Sequence, residues 1–118
     1  MPIEIEVDLY SGRPNPRFAL SAAASAGFER RLGALPPLPA DAGGIRDGLG
    51  YRGLRVTGLS GGFAKVVVSA GVVEIHDAAG GVTRRADPGR ALERWLAEAG
   101  SGQLPAADLD AVRDDLAR

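Results

Sequence analysis

The chain has no cysteine among its 118 residues, which excludes disulfide bonds, thiolate nucleophiles and zinc-ribbon sites. A reducing compartment suits such a composition, and the expected location is the cytoplasm. Histidine and lysine each occur once, and every other cation is an arginine. Aromatics make up only 5% of the chain, with no interleaving of rings and basic residues for stacking on bases, so no nucleic-acid partner is expected. The longest unbroken apolar stretches are a few residues, far short of the ~20 that a membrane helix needs. The N-terminal residues run directly into an acidic strand pattern, and no signal peptide is visible. A Walker loop and a His-Glu-x-x-His motif are missing, and Ser11 and Ser60 sit in glycine-containing turns without a nucleophile elbow. Neither a metal site nor an organic cofactor is expected.

What is present describes an ordinary domain. Apolar residues at 45% suffice for one modest core, and charged residues at 25% with a net charge of −1 suit a water-exposed surface. The length points to a single domain over residues 1–118. Ile3, Ile5, Val7 and Leu9 alternate with Glu4, Glu6, Asp8 and Tyr10, the cleanest period-2 signal in the chain, so this strand buries one face and leaves one polar. Three carboxylates on that polar face repel one another unless solvated or met by cations. Steps of ~7 Å along a straight strand are too wide for them to share one ion without further ligands.

Ser21 is the expected N-cap of a first helix over about Ser21 to Leu35, with Leu20, Ala24, Phe28, Leu32 and Leu35 at near-helical spacing. Pro36 and Pro37 stop it, and Pro36 to Gly48 reads as a long surface loop. Four closely spaced strands follow: Leu54–Gly58, Phe63–Ala70, Val72–His76 and Val82–Arg85, joined by glycine turns as in an antiparallel meander. Asp87-Pro88 marks a second helix, with Leu92, Trp95, Leu96 and Ala99 as its inward stripe and Gly100 as its end. A third begins near Pro105, with Leu109, Val112 and Leu116 facing inward. The expectation is a two-layer α+β domain, β-α-β-β-β-β-α-α, with a mostly antiparallel sheet of about five strands and three helices. Helices on one face would leave the other open, carrying Glu4, Glu6, Asp8 and Tyr10, with Arg55, Thr57, Glu74 and His76 as further candidates for it.

The segment Ser11-Gly12-Arg13-Pro14-Asn15-Pro16 links the first strand towards the first helix. Pro14 and Pro16 fix their own φ and push Arg13 and Asn15 towards extended backbone, while Gly12 permits a sharp turn and Asn15 can close an Asx-turn. Such stiffness suits a plain connector. It equally suits a binding loop, because it lowers the entropic cost of holding the Arg13 guanidinium ready for a carboxylate or phosphate. The chain resembles small bacterial proteins that share this Ser-Gly-Arg-Pro-Asn-Pro loop, a Gly-Tyr-Arg-Gly-like segment (here Gly50 to Gly53) and a Leu-x-x-Trp-Leu helix (here Leu92 to Leu96). The likeness spans most of the chain and implies a single-domain fold without implying an activity.

Three functional readings follow. In the first, a small binding or accessory protein recognises an anionic small molecule or peptide through Arg13, Asn15, Tyr51, Arg52 and Tyr10. In the second, a small cofactor-free enzyme (a cyclase, isomerase or lyase) uses His76, Tyr51 or Asp8 for acid-base chemistry, with Glu74 as a further candidate. In the third, an interaction module uses the exposed sheet face or edge, with a homodimer as one form it could take. The first two require the proline-braced loop and the Tyr51-Arg52 turn to meet in space.

Overall fold

A computed structural model of the chain describes residues 3–10, 12–38, 50–59 and 62–117. The elements are β1 (Glu4–Asp8), β2 (Arg17–Ala19), α1 (Ala22–Gly33), β3 (Pro37–Leu38), β4 (Gly53–Thr57), β5 (Phe63–Ser69), β6 (Val72–Asp77) and β7 (Val82–Ala86). A 3₁₀ turn at Pro88–Arg90, then α2 (Ala91–Ala99) and α3 (Ala106–Leu116), complete the chain. One antiparallel sheet runs β2-β1-β4-β5-β6-β7-β3. Among the described residues the α+β class and the three helices match expectation, but the sheet has seven strands rather than about five. The added pair are the edge strands β2 and β3, of three and two residues. Segments so short carry no readable alternation, and the backbone of their neighbours β1 and β7 decides their pairing. The proline-braced loop therefore leads into β2 before the helix begins. Of the long loop expected over Pro36 to Gly48, residues 39–48 lie outside the described residues, as do Ser60 and Gly61 of the turn before β5.

The alternation in β1 works as expected. Ile5 and Val7 are fully buried, with Ile3 and Leu9 close behind, and they join Leu54, Val56, Val66, Val68 and Val73 in the core. Phe28 and Leu32 of α1, Leu92 and Leu96 of α2, and Leu109, Val112 and Leu116 of α3 close that core from one side. Ser21 caps α1, its hydroxyl accepting from the Ala24 amide at 3.1 Å. Trp95 is only half-buried against the core, and the Arg31 guanidinium lies 4.2 Å over its ring. The open edge at β2 is closed by Gln103, whose amide donates to the Ala19 carbonyl at 3.0 Å and accepts from the Ala19 N–H at 3.3 Å. An edge satisfied in this way offers less for another strand to pair with.

A buried ionic network joins the two layers. Glu93, on α2, has no exposed surface. It accepts from the Tyr51 hydroxyl at 2.5 Å, the Ala70 amide at 3.1 Å, and Arg90 Nε and Nη2 at 3.0 Å each. Arg90 also donates to Asp115 at the end of α3, at 2.8 Å to the carboxylate and 3.1 Å to the carbonyl. Two of these contacts hold backbone that is otherwise unfavourable. Ala70 (φ 52°) and Gly71 (φ 87°) form the two-residue β5–β6 hairpin, and Arg90 itself has φ 57°. Asp87, the expected cap of the second helix, caps it from one turn further away. Its carboxylate accepts from the Leu92 and Glu93 amides at 2.8 and 3.0 Å, and the 3₁₀ turn fills the gap.

Glu93→Ala removes the shared acceptor of the Tyr51 hydroxyl, the Ala70 amide and two Arg90 N–H groups, leaving Arg90 with Asp115 alone, and the expected loss of unfolding free energy is about 3–5 kcal/mol, read from urea melts. A second outcome concerns alkali. Burial and the adjacent Glu93 charge raise the Tyr51 pKa well above its ordinary value of 10.0. The raised pKa means that stability from a neutral Tyr51 is full below pH ~10 and falls as pH rises beyond it, where the unfolded chain ionises first. Tyr51→Phe should flatten that alkaline slope in melts from pH 9 to pH 11.

Candidate functional site

The Asn15 side chain fixes the loop after β1. Its Oδ1 accepts from the Leu9 and Tyr10 amides at 3.0 and 2.8 Å, and its Nδ2 donates to Glu6 at 2.9 Å and to Asp8 at 3.5 Å. The Val7 amide donates to the Pro16 carbonyl at 2.9 Å, so β1 pairs with the loop as well as with β2. Gly12 has φ 85°, the left-handed turn that its position calls for. In place of the expected Asx-turn, the Asn15 side chain reaches back to the end of β1, and its oxygen and nitrogen are both engaged within the protein.

The Tyr51-Arg52 segment packs beside this loop. The Arg52 amide donates to the Asp8 carbonyl at 2.8 Å. Its guanidinium donates to Asp8 Oδ1 at 2.8 Å and to the Tyr10 carbonyl at 3.3 Å. Arg55 reaches the other Asp8 oxygen at 3.2 Å and Glu6 at 3.6 Å, and Arg17 pairs with Glu4 at 2.9 Å and Glu6 at 3.3 Å. The three carboxylates of β1 are therefore met by three arginines. Gly53 has φ 132°, and a Cβ there would lie 2.7 Å from the Val68 carbonyl oxygen, so only glycine lets β4 run this close to β5.

The two adjacent residues of that segment point to different places. Arg52 stays with the loop, whereas Tyr51 is buried with its hydroxyl on Glu93. Tyr10 leaves the polar face on which alternation would set it, because β1 ends at Asp8 and the Asn15 contacts redirect the chain. Its hydroxyl donates to Asp108 Oδ1 in the first turn of α3. That bond, together with partial desolvation and the Asp108 charge, raises the Tyr10 pKa against the opposing pull of Arg13, so Tyr10 holds its proton and serves as a donor. The Arg13 guanidinium lies 3.7 Å above the Tyr10 ring centre, a cation–π stack.

Tyr10, Arg13, Pro14, Asn15, Pro16 and Asp108 line a shallow recess of about 360 Å³ that opens to solvent. Neither Asp8 nor His76 lines it. His76 lies on the open sheet face, its Nε2 2.6 Å from Glu74, which also pairs with Arg84 at 3.1 Å. Arg55, Val67, Glu74 and Arg84 are successive cross-strand partners on that face. Of the sequence candidates, then, Tyr10, Arg13 and Asn15 gather at the recess and Arg52 supports it from beside Asp8. Tyr51 and His76 lie apart. Asp108 escaped the sequence reading, although a signal existed. Asp108, Val112 and Asp115 recur at helical spacing on the inward side of α3, and both acids are nearly buried. An acid on an apolar stripe needs a partner, and here the partners are Tyr10 and Arg90.

The chain matches no protein-family model, no curated protein and no solved structure.

Asn15→Asp keeps the acceptor for both amides but sets a third carboxylate against Glu6 and Asp8. The expected cost is about 1–3 kcal/mol at pH 7. Its like-charged neighbours raise the pKa of the introduced acid, so the cost should shrink as pH falls through the carboxylate range near 4. Urea melts of parent and variant at pH 7 and pH 4 check both the size and the direction.

Proposed function

We propose that the protein is a small binding or accessory protein that takes an anionic small molecule or a peptide terminus at the loop recess, with Arg13 as the contact to the anion. One observation carries the reading. Arg17, Arg52 and Arg55 around the same loop each pair with a carboxylate, whereas Arg13 has no carboxylate partner among the described residues. Its planar fork is instead held over Tyr10, with one N–H group engaging the phenol oxygen, and the others are the donors that a carboxylate or phosphate would take. Asn15 and the two prolines supply the pre-organisation that lowers the cost of binding, and Arg52 braces the Tyr10 carbonyl from behind.

The enzyme reading gains less support. Asp8 is engaged by Asn15, Arg52 and Arg55, Tyr51 is spent on Glu93, and His76 stands outside the recess. The interaction-module reading rests on the open sheet face, where Arg17, Arg55 and Arg84 already neutralise Glu4, Glu6, Asp8 and Glu74. A partner there would compete with those internal pairs.

Titration calorimetry with acetate, succinate, citrate and inorganic phosphate tests the proposal on the parent and on Arg13→Ala. At least one anion is expected to bind, with affinity falling about tenfold or more in Arg13→Ala, the loss of a charge-assisted hydrogen bond. Arg13→Lys should recover only part of it, since an ammonium lacks the planar fork. Equal binding by parent and Arg13→Ala would overturn the assignment.

A further inference from the structure

We infer that the ligand of this recess is dipolar, a free α-amino acid or a close analogue, with its carboxylate on Arg13 and its ammonium on Asp108; this rests on reading the recess as an anion site. The recess holds one group of each charge, and the Tyr10 ring sets their separation. Arg13 lies over the face of the ring, 3.7 Å from its centre, and Asp108 sits at the hydroxyl end. The opposite charges thus flank one phenol, yet the guanidinium and the Asp108 carboxylate form no ion pair with each other among the described residues.

A simple anion would leave Asp108 as an uncompensated like charge within the same recess, which costs affinity. A simple cation would meet the same objection from Arg13. A ligand carrying both charges a short distance apart answers both groups at once and adds a charge-assisted hydrogen bond at each end. The hydrogen bond that Asp108 accepts from Tyr10 uses Oδ1, and Asp108 is one of the residues that line the recess. The raised Tyr10 pKa keeps the phenol protonated, so it contributes no competing negative charge. The α-carbon substituent would project from the open mouth past Pro14 and Pro16, which predicts weak discrimination among side chains.

Three related probes test the inference on the full chain by calorimetry and by amide chemical shifts: L-alanine, N-acetyl-L-alanine (anion only) and L-alaninamide (cation only). L-alanine should bind about tenfold or more tightly than either analogue, and Asp108→Asn should remove most of that preference. Asparagine retains an acceptor for the Tyr10 hydroxyl, and the comparison of probes on the parent needs no variant at all. Equal binding of alanine and its N-acetyl form, both lost in Arg13→Ala, would overturn the dipolar inference and leave the anion site standing. Citrate or phosphate binding through Arg13 with no alanine binding would do the same. Absence of binding by every probe and every anion would overturn both.

Discussion

Much of this architecture hangs on one carboxylate that never meets water. Glu93 holds the mouth of β4 through Tyr51, the strained β5–β6 hairpin through the Ala70 amide, and the start of its own helix through Arg90. Arg90 then passes the constraint to the end of α3 at Asp115. A buried ion of this kind gains stability only when each of its lone pairs is answered, and here four donors answer two oxygens. The arrangement therefore selects one relative placement of sheet and helices.

That placement reaches the surface recess. α3 is tied at its far end by Arg90 to Asp115 and at its near end by Tyr10 to Asp108. The distance from the Arg13 loop to Asp108 is thus set by a helix whose position is fixed inside the protein. The loop itself is fixed from β1, where one asparagine amide spans two backbone N–H groups and two carboxylates. Between these two anchors the guanidinium of Arg13 stacks on Tyr10, while Arg17, Arg52, Arg55 and Arg84 on the adjoining face are each paired with an acid. The same sheet that supplies the scaffold also consumes most of its own charge.

Particular residues show how far the sequence could be read. The β1 alternation, the meander from β4 to β7 and the Ser21 cap were legible because each rests on interactions within a few residues of one another. The edge strands β2 and β3 were not, because two or three residues have no period of their own. Tyr51 and Arg52 looked like one functional unit flanked by glycines, yet adjacent residues on an extended backbone face opposite ways, and the pair divides between core and loop. Asp108 went unnoticed because its partner lies 98 positions earlier in the chain.

Taken alone, the sequence determined the class of fold, the number of helices and the stiffness of the Ser-Gly-Arg-Pro-Asn-Pro segment, since periodicity, capping and proline geometry are local properties. It also brought forward Arg13 and Asn15 by their chemistry. Only the tertiary structure decided that Asn15 is spent holding the loop, that Arg52 serves Asp8, and that Arg13 shares a recess with Asp108. Those outcomes depend on which charges meet across strands and layers. That is a competition among distant partners, which no local pattern encodes.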